Sequence, residues 1–193
     1  MQEITKFPLL CGNISVDLVN TEVVRRGHRL DLLPKTDDIW DWLHVVQADI
    51  PFWSEMVPAW KEQLPEIHKK LVTMRGILRA HFEAIADKQT VPATLITYLE
   101  NIITNAPITY KLKDEKLLPF PVGTLADRLL TILALDALRL IADGKLRLLK
   151  RCSNTDCVLL FIDESGRRKW CSMKICGNRK KVAKFQQRKT EEL

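Results

Sequence analysis

The sequence predicts a mainly α chain: a helical N-terminal domain with a small β-hairpin over residues 1–144, then a cysteine-rich C-terminal segment over 145–193. Three observations carry this expectation. Apolar residues recur at steps of three and four through successive stretches before Gly144. One stretch, between Pro107 and Pro121, switches to alternation. Four of the five cysteines fall within the 25 residues from Cys152 to Cys176. A chain of 193 residues suits one domain with a small appendage.

The elements follow in order. In 13–23, Ile14, Leu18 and Val19 share a helical face, with Asn13 or Ser15 as cap. "GHRLDLLP" reads as a turn and a short extended link. Thr36 is the expected N-cap of the next helix, with acids in its first turn and Ile39, Leu43 and Val46 as its stripe. Pro51 and Pro58 interrupt the chain. The longest pattern, 62–88, places Ile67, Leu71, Met74, Leu78, Phe82 and Ile85 on one face. A helix over about 92–104 follows, through Leu95, Leu99 and Ile102. "ITYKLKDEKLLPF" reads as a hairpin about the polar centre Lys113–Lys116. A last helix runs from Thr124 to Ala142, apolar on more than one face and therefore expected at the centre of the bundle, with Asp143–Gly144 as its stop.

Charge divides the chain. Residues 1–144 hold 16 Lys and Arg against 19 Asp and Glu, a net of −3; residues 145–193 hold 14 against 5, a net of +9. A slightly acidic body with a strongly basic end is the asymmetry of a nucleic-acid-facing appendage, although a solvated basic helix would show it too. No run of eighteen apolar residues occurs and the N-terminus lacks a basic, then apolar, export signal. A cytoplasmic protein is expected, in which cysteines serve as thiols or metal ligands rather than disulfides.

Cys152 and Cys157 are separated by four residues, as are Cys171 and Cys176, with thirteen residues between the pairs. Two short-spaced pairs suit the four tetrahedral thiolates of zinc. "SNTD" is turn-rich and can aim two sulfurs at one point. "VLLFIDESGRRKW" reads as strand, turn at Gly166, strand, and the second pair opens a basic helical segment. Knuckle, hairpin and helix form a treble-clef-like zinc finger. Four thiolates close the coordination shell and leave no place for a reactive water, so one Zn2+ would be structural. An iron–sulfur cluster is the competitor, since four thiolates also hold one. A redox pair would show the tighter C-x-x-C spacing. Cys11 stands apart as a buried thiol.

These residues carry a resemblance. The C-x4-C knuckle, "LFIDESGRRKWCSMKICGNRKK" and above all Cys176–Gly177–Asn178–Arg179 resemble the CGNR zinc finger over about 150–190, including Phe161, Asp163 and the run Trp170–Cys171–Ser172–Met173. The body resembles the ABATE domain that precedes this finger in bacterial proteins, with "DLVNT", Asp17 to Thr21, as its motif. The resemblance implies a bacterial transcription regulator. The tail beyond Arg179 has Lys and Gln where the family pattern has more Arg.

The leading expectation is a DNA-binding regulator with a helical sensory or dimerising body. Its candidate nucleic-acid contacts are Arg167, Arg168 and Lys169 at the hairpin, then Arg179, Lys180, Lys181, Lys184, Arg188 and Lys189 on the basic helix, where Val182 and Phe185 pack inward. The alternative is a zinc-stabilised module for protein or RNA. Gly177 reads as steric relief beside Cys176, Asn178 as a hydrogen-bond partner of a ligand sulfur or a nearby carbonyl, set against reading a base edge, and Trp170 as core of the finger. Asn20 and Thr21 are candidates to line an effector pocket, set against a capped helix end. The four histidines show no metal spacing, and Trp40, Trp42, Trp53 and Trp60 read as packing. No nucleophile motif, phosphate loop or HExxH occurs, so no enzymatic activity is expected. One finger offers a small interface, so a homodimer is expected for specific binding.

Overall fold

The computed structural model describes residues 6–51, 53–56 and 60–178. Helix α1 (Ile14–Val19) is buried along its whole length. It ends early because Thr21 turns back onto Leu18: its hydroxyl donates to the Leu18 carbonyl at 2.7 Å and its backbone N–H does so at 3.1 Å. The chain then reverses as an antiparallel hairpin, β1 (Glu22–Arg25) and β2 (His28–Asp31). This corrects the expected continuation of the helix to Val23 and the unpaired link after it. Arg26 and Gly27 both take positive φ, 53° and 79°, in the two-residue turn whose twist matches paired strands.

Helix α2 (Thr36–Val45) starts one residue from expectation, with Lys35 at the N-cap and its N–H bonded to the Asp38 carboxylate at 3.0 Å. Ile39, Leu43 and Val46 are buried as predicted, together with Trp42. A 3₁₀ turn (Gln47–Asp49) and α3 (Trp53–Met56) follow. Trp40 and Trp53 stack with ring centres 5.7 Å apart, and His44 meets both edge-on. These rings pack on one another.

Helix α4 (Trp60–Lys88) is the spine. All six residues of its predicted stripe, Ile67 to Ile85, are fully buried. Helix α5 (Ala93–Asn105) buries Leu95 and Leu99. The expected hairpin is β3 (Ile108–Lys113) with β4 (Lys116–Pro121). Helix α6 (Leu125–Ala142) begins at Thr124, whose hydroxyl accepts the Asp127 N–H at 3.2 Å, and stops at Gly144 with φ +70°. It packs against α1, α4, α5 and β4, which is the central position its many-sided apolar surface requires.

Beyond Gly144 a 3₁₀ turn leads into β5 (Leu149–Arg151), which pairs antiparallel with β6 (Leu160–Ile162). Here too the structure corrects the sequence reading. The hairpin encloses the first cysteine pair; after the turn at Gly166 no second strand forms, and 167–170 return as irregular chain. β5 lies against α4 and β6 against α1. Leu149, Leu159, Leu160 and Phe161 join the same buried cluster as the helices, so the cysteine segment is seated on the body rather than tethered to it. Among the described residues no helix is long and apolar enough to cross a membrane.

Candidate metal centre

Strand β5 delivers Cys152 to one side of a tight turn. The Cys152 N–H reaches the Leu159 carbonyl at 3.3 Å, and the Cys157 N–H closes the knuckle on the Asn154 carbonyl at 2.9 Å. The second pair is shaped by Ser172. Its hydroxyl accepts the Ile175 N–H at 3.0 Å, and its carbonyl accepts the N–H groups of Cys176 and Gly177 at 3.1 and 3.0 Å. The result is a single π turn, Met173–Gly177, that swings Cys176 inward. A bond from Ser153 N–H to the Lys169 carbonyl, 2.9 Å, holds the two knuckles together.

The four sulfurs of Cys152, Cys157, Cys171 and Cys176 lie within 4.8 Å of one another, and Cys157 and Cys171 are 3.9 Å apart. Zinc–sulfur bonds of about 2.3 Å in a tetrahedron put sulfurs about 3.8 Å apart. The cluster can therefore hold one zinc ion with little adjustment. Burial and the neighbouring sulfurs also show why a cation belongs there. Cys157 is drawn down to about 6, chiefly by its hydrogen bond with Cys171. The bond to Cys157 and burial push Cys171 far up, and burial lifts Cys176 to about 11. Four thiolates so close cannot all ionise without a divalent ion to balance them.

The surroundings orient these ligands. The Cys171 N–H points at Cys152 Sγ, 3.4 Å away, and the buried Asn154 amide lies 3.6 Å from Cys176 Sγ. Asn154, not the exposed Asn178, is thus the amide that meets a ligand sulfur. Gly177 is buried, and a Cβ there would meet the outer end of the flexible, exposed Met173 side chain. Trp170 is partly buried against the core.

Phe161 and Asp163 acquire roles that the sequence did not disclose. Asp163 is buried; it accepts from Lys150 Nζ at 2.8 Å, Ser165 Oγ at 2.8 Å and the Arg168 N–H at 3.1 Å. The Lys150 ammonium leads in pulling its carboxyl down to about 2. Arg168 lays its guanidinium 4.4 Å from the Phe161 ring centre and donates to the carbonyls of Trp170, at 3.0 Å, and Cys171. Arg168, one of the candidate nucleic-acid contacts, therefore braces the second knuckle. Arg167 and Lys169 on the same loop are exposed. Arg179, Lys180, Lys181, Val182, Lys184, Phe185, Arg188 and Lys189 lie outside the described residues.

Asn20 and Thr21, the candidates for an effector pocket, are committed to hydrogen bonds within the fold. Both are fully buried. The Asn20 amide donates to the Leu160 carbonyl and accepts the Leu160 N–H, each at 2.9 Å. It stands in for a third strand along the free edge of β6. Thr21 Oγ1 accepts from Arg75 at 3.0 Å while donating to Leu18. Asp17, in the same motif, accepts the Leu10 N–H at 3.0 Å, and burial raises its carboxyl to about 6. The stretch from Asp17 to Thr21 is a clasp joining the N-terminal loop, α4 and the cysteine segment. Sequence spacing could not reveal it, because the partner of Asn20 lies 140 residues away.

Comparison with known proteins agrees with this geometry. Residues 148–189 match the CGNR zinc finger, and residues 12–144 match the ABATE family, described as "Putative stress-induced transcription regulator". No curated protein matches the chain. With more than half of its length matched, the chain belongs to the ABATE family and carries a CGNR zinc finger at its C-terminal end.

Proposed function

We propose that this protein is a DNA-binding transcription regulator in which one structural zinc ion holds a treble-clef-like finger against a helical body. The observation that carries the reading is the pairing of a four-sulfur site with a net charge of +9 over residues 145–193, in a chain whose body belongs to a family described as regulatory. Zinc would fix the two knuckles, and with them the point at which the basic segment after Gly177 leaves the finger. A fixed cationic set loses less conformational entropy on meeting phosphates than a loose tail does. Arg167 and Lys169, with the cations from Arg179 to Lys189, are its contacts. The division is a body over 1–144 and a finger over 145–193. The body has no catalytic role; it senses or dimerises. The setting is the bacterial cytoplasm.

The dimer would bury the outward face of β3–β4, where Tyr110, Leu112 and Leu117 are 62%, 76% and 65% exposed. The same apolar face favours a second reading, in which the chain is a zinc-stabilised module that binds protein. Selection of genomic DNA fragments by the full chain, with zinc-stripped protein as control, decides between them. Enrichment of defined fragments by the zinc form alone supports the regulator; no enrichment in either form rejects it.

A further inference from the structure

Around the base of β1–β2, cations and acids are matched. Arg75 grips Asp31 through two nitrogens at 2.5 and 2.7 Å. Arg79 and Arg29 share Glu22 at 2.8 and 2.6 Å. Arg151 of β5 pairs with Asp87 at 2.7 Å. Glu83 sits among Arg79, Arg151 and Arg29 at 3.1, 3.4 and 3.9 Å. Four carboxylates thus answer four arginines. At the tip the pattern stops. Arg25 and Arg26 are exposed and meet no carboxylate among the described residues, and His28, opposite Arg25 in register, is exposed as well.

Turn geometry does not call for arginine there. Arg26 holds φ +53°, a left-handed conformation that favours Asn, Asp or Gly. The β3–β4 hairpin closes on residues of the same handedness, Asp114 and Glu115 at φ 49° and 61°, and fills them with acids. The two turns share a backbone and carry opposite charge, so the tip arginines reflect a surface requirement.

The hairpin is also fixed beside the finger. Arg79 donates to the Val158 carbonyl at 3.2 Å and to that of Glu22 at 3.5 Å, which ties the foot of β1 to the chain just after the first knuckle. Glu83 links Arg29 of β2 with Arg151 of β5. Four residues of strand reach about 13 Å. That is well inside one turn of duplex, about 34 Å, so tip and finger can meet a single DNA molecule.

We propose that the β1–β2 hairpin is a second phosphate-binding element. Arg25 and Arg26, with the His28 imidazole beside them, contact the phosphodiester backbone of duplex DNA next to the stretch held by the finger. This inference rests on the DNA-binding reading above and extends it from finger to body. The test uses the full zinc-loaded chain and a labelled mixed-sequence 20-base-pair duplex, with anisotropy followed through a salt series. Two variants are compared with the native chain: Arg25→Gln with Arg26→Asn at the tip, and Arg167→Gln with Lys169→Gln on the finger. Asn suits the left-handed position, so the turn is kept; zinc content and melting temperature verify the fold. Two lost phosphate contacts make the slope of log affinity against log salt shallower by about 1.8, and weaken binding on the order of 60-fold at 0.1 M salt. An unchanged slope in the tip variant, with the finger variant weakened, overturns the hairpin's role and leaves the finger's intact. Failure of the native chain to bind duplex overturns both.

Discussion

Replacing Asn20 by Ala should separate the finger from the body without touching a cysteine. Leu160 is fully buried, and its N–H and C=O face away from β5, each bonded to the Asn20 amide at 2.9 Å, with the Cys11 thiol a weaker second donor to the C=O at 3.9 Å. Alanine leaves the N–H without a partner and the C=O with only the weak Cys11 thiol donor in a dry interior. Each unsatisfied group costs about 1–3 kcal/mol, and the space vacated by the amide adds a smaller cavity term. We expect a loss of about 3–5 kcal/mol, a large share of the stability of a domain of this size. Urea denaturation followed by far-ultraviolet circular dichroism reads the loss. Hydrogen exchange locates it, with the Leu160 amide and its neighbours in β6 exchanging faster while the centre of α4 stays protected in the native state. Asn20→Asp should also be destabilising, because a carboxylate can accept from the N–H but cannot donate to the carbonyl. A loss under about 0.5 kcal/mol for Asn20→Ala, or exchange that rises evenly along the chain, would refute the clasp.

Two further outcomes are expected. Elemental analysis should find one zinc per chain, and Cys176→Ser should lose it and loosen the chain from 150 onward while most helical signal persists, because α4 and α5 both pack on α6; stoichiometric iron would point to a cluster instead. Asp17 has its carboxyl raised from 3.8 to about 6, so its proton favours the folded state and the contribution is lost as pH rises through 6. The full effect is about 3 kcal/mol, of which about 1.4 kcal/mol falls between pH 5 and 7.5, so Asp17→Asn should gain stability over the native chain by that amount across this range. An equal pH dependence in the two proteins would remove Asp17 as its source.

The parts of the fold governed by local periodicity were legible. The stripe from Ile67 to Ile85 is buried as read, and β3–β4 pairs where alternation begins and ends. The errors have physical causes. Helix α1 stops short of its expected length, since nothing in "NISVDLVNTEV" announces that Thr21 bonds back onto Leu18. The β1–β2 turn was hidden by Arg at a position usually filled by Asn. In the finger, the cysteine knuckle itself is the hairpin turn, so the strands flank it, whereas propensity alone favoured strands on either side of Gly166. The four ligands were legible because metal geometry constrains sequence spacing directly. Asn154, Arg168 and Asn20 were not, since each acts through partners that only the folded chain brings near.

The most direct measurement of the central claim compares zinc-loaded and zinc-stripped full-length protein on the same duplex across a salt series. Predicted is salt-dependent binding by the zinc form that weakens strongly on stripping and returns when zinc is added back. Equal duplex affinity with and without zinc, or no duplex binding by the folded, zinc-loaded chain, would contradict the account.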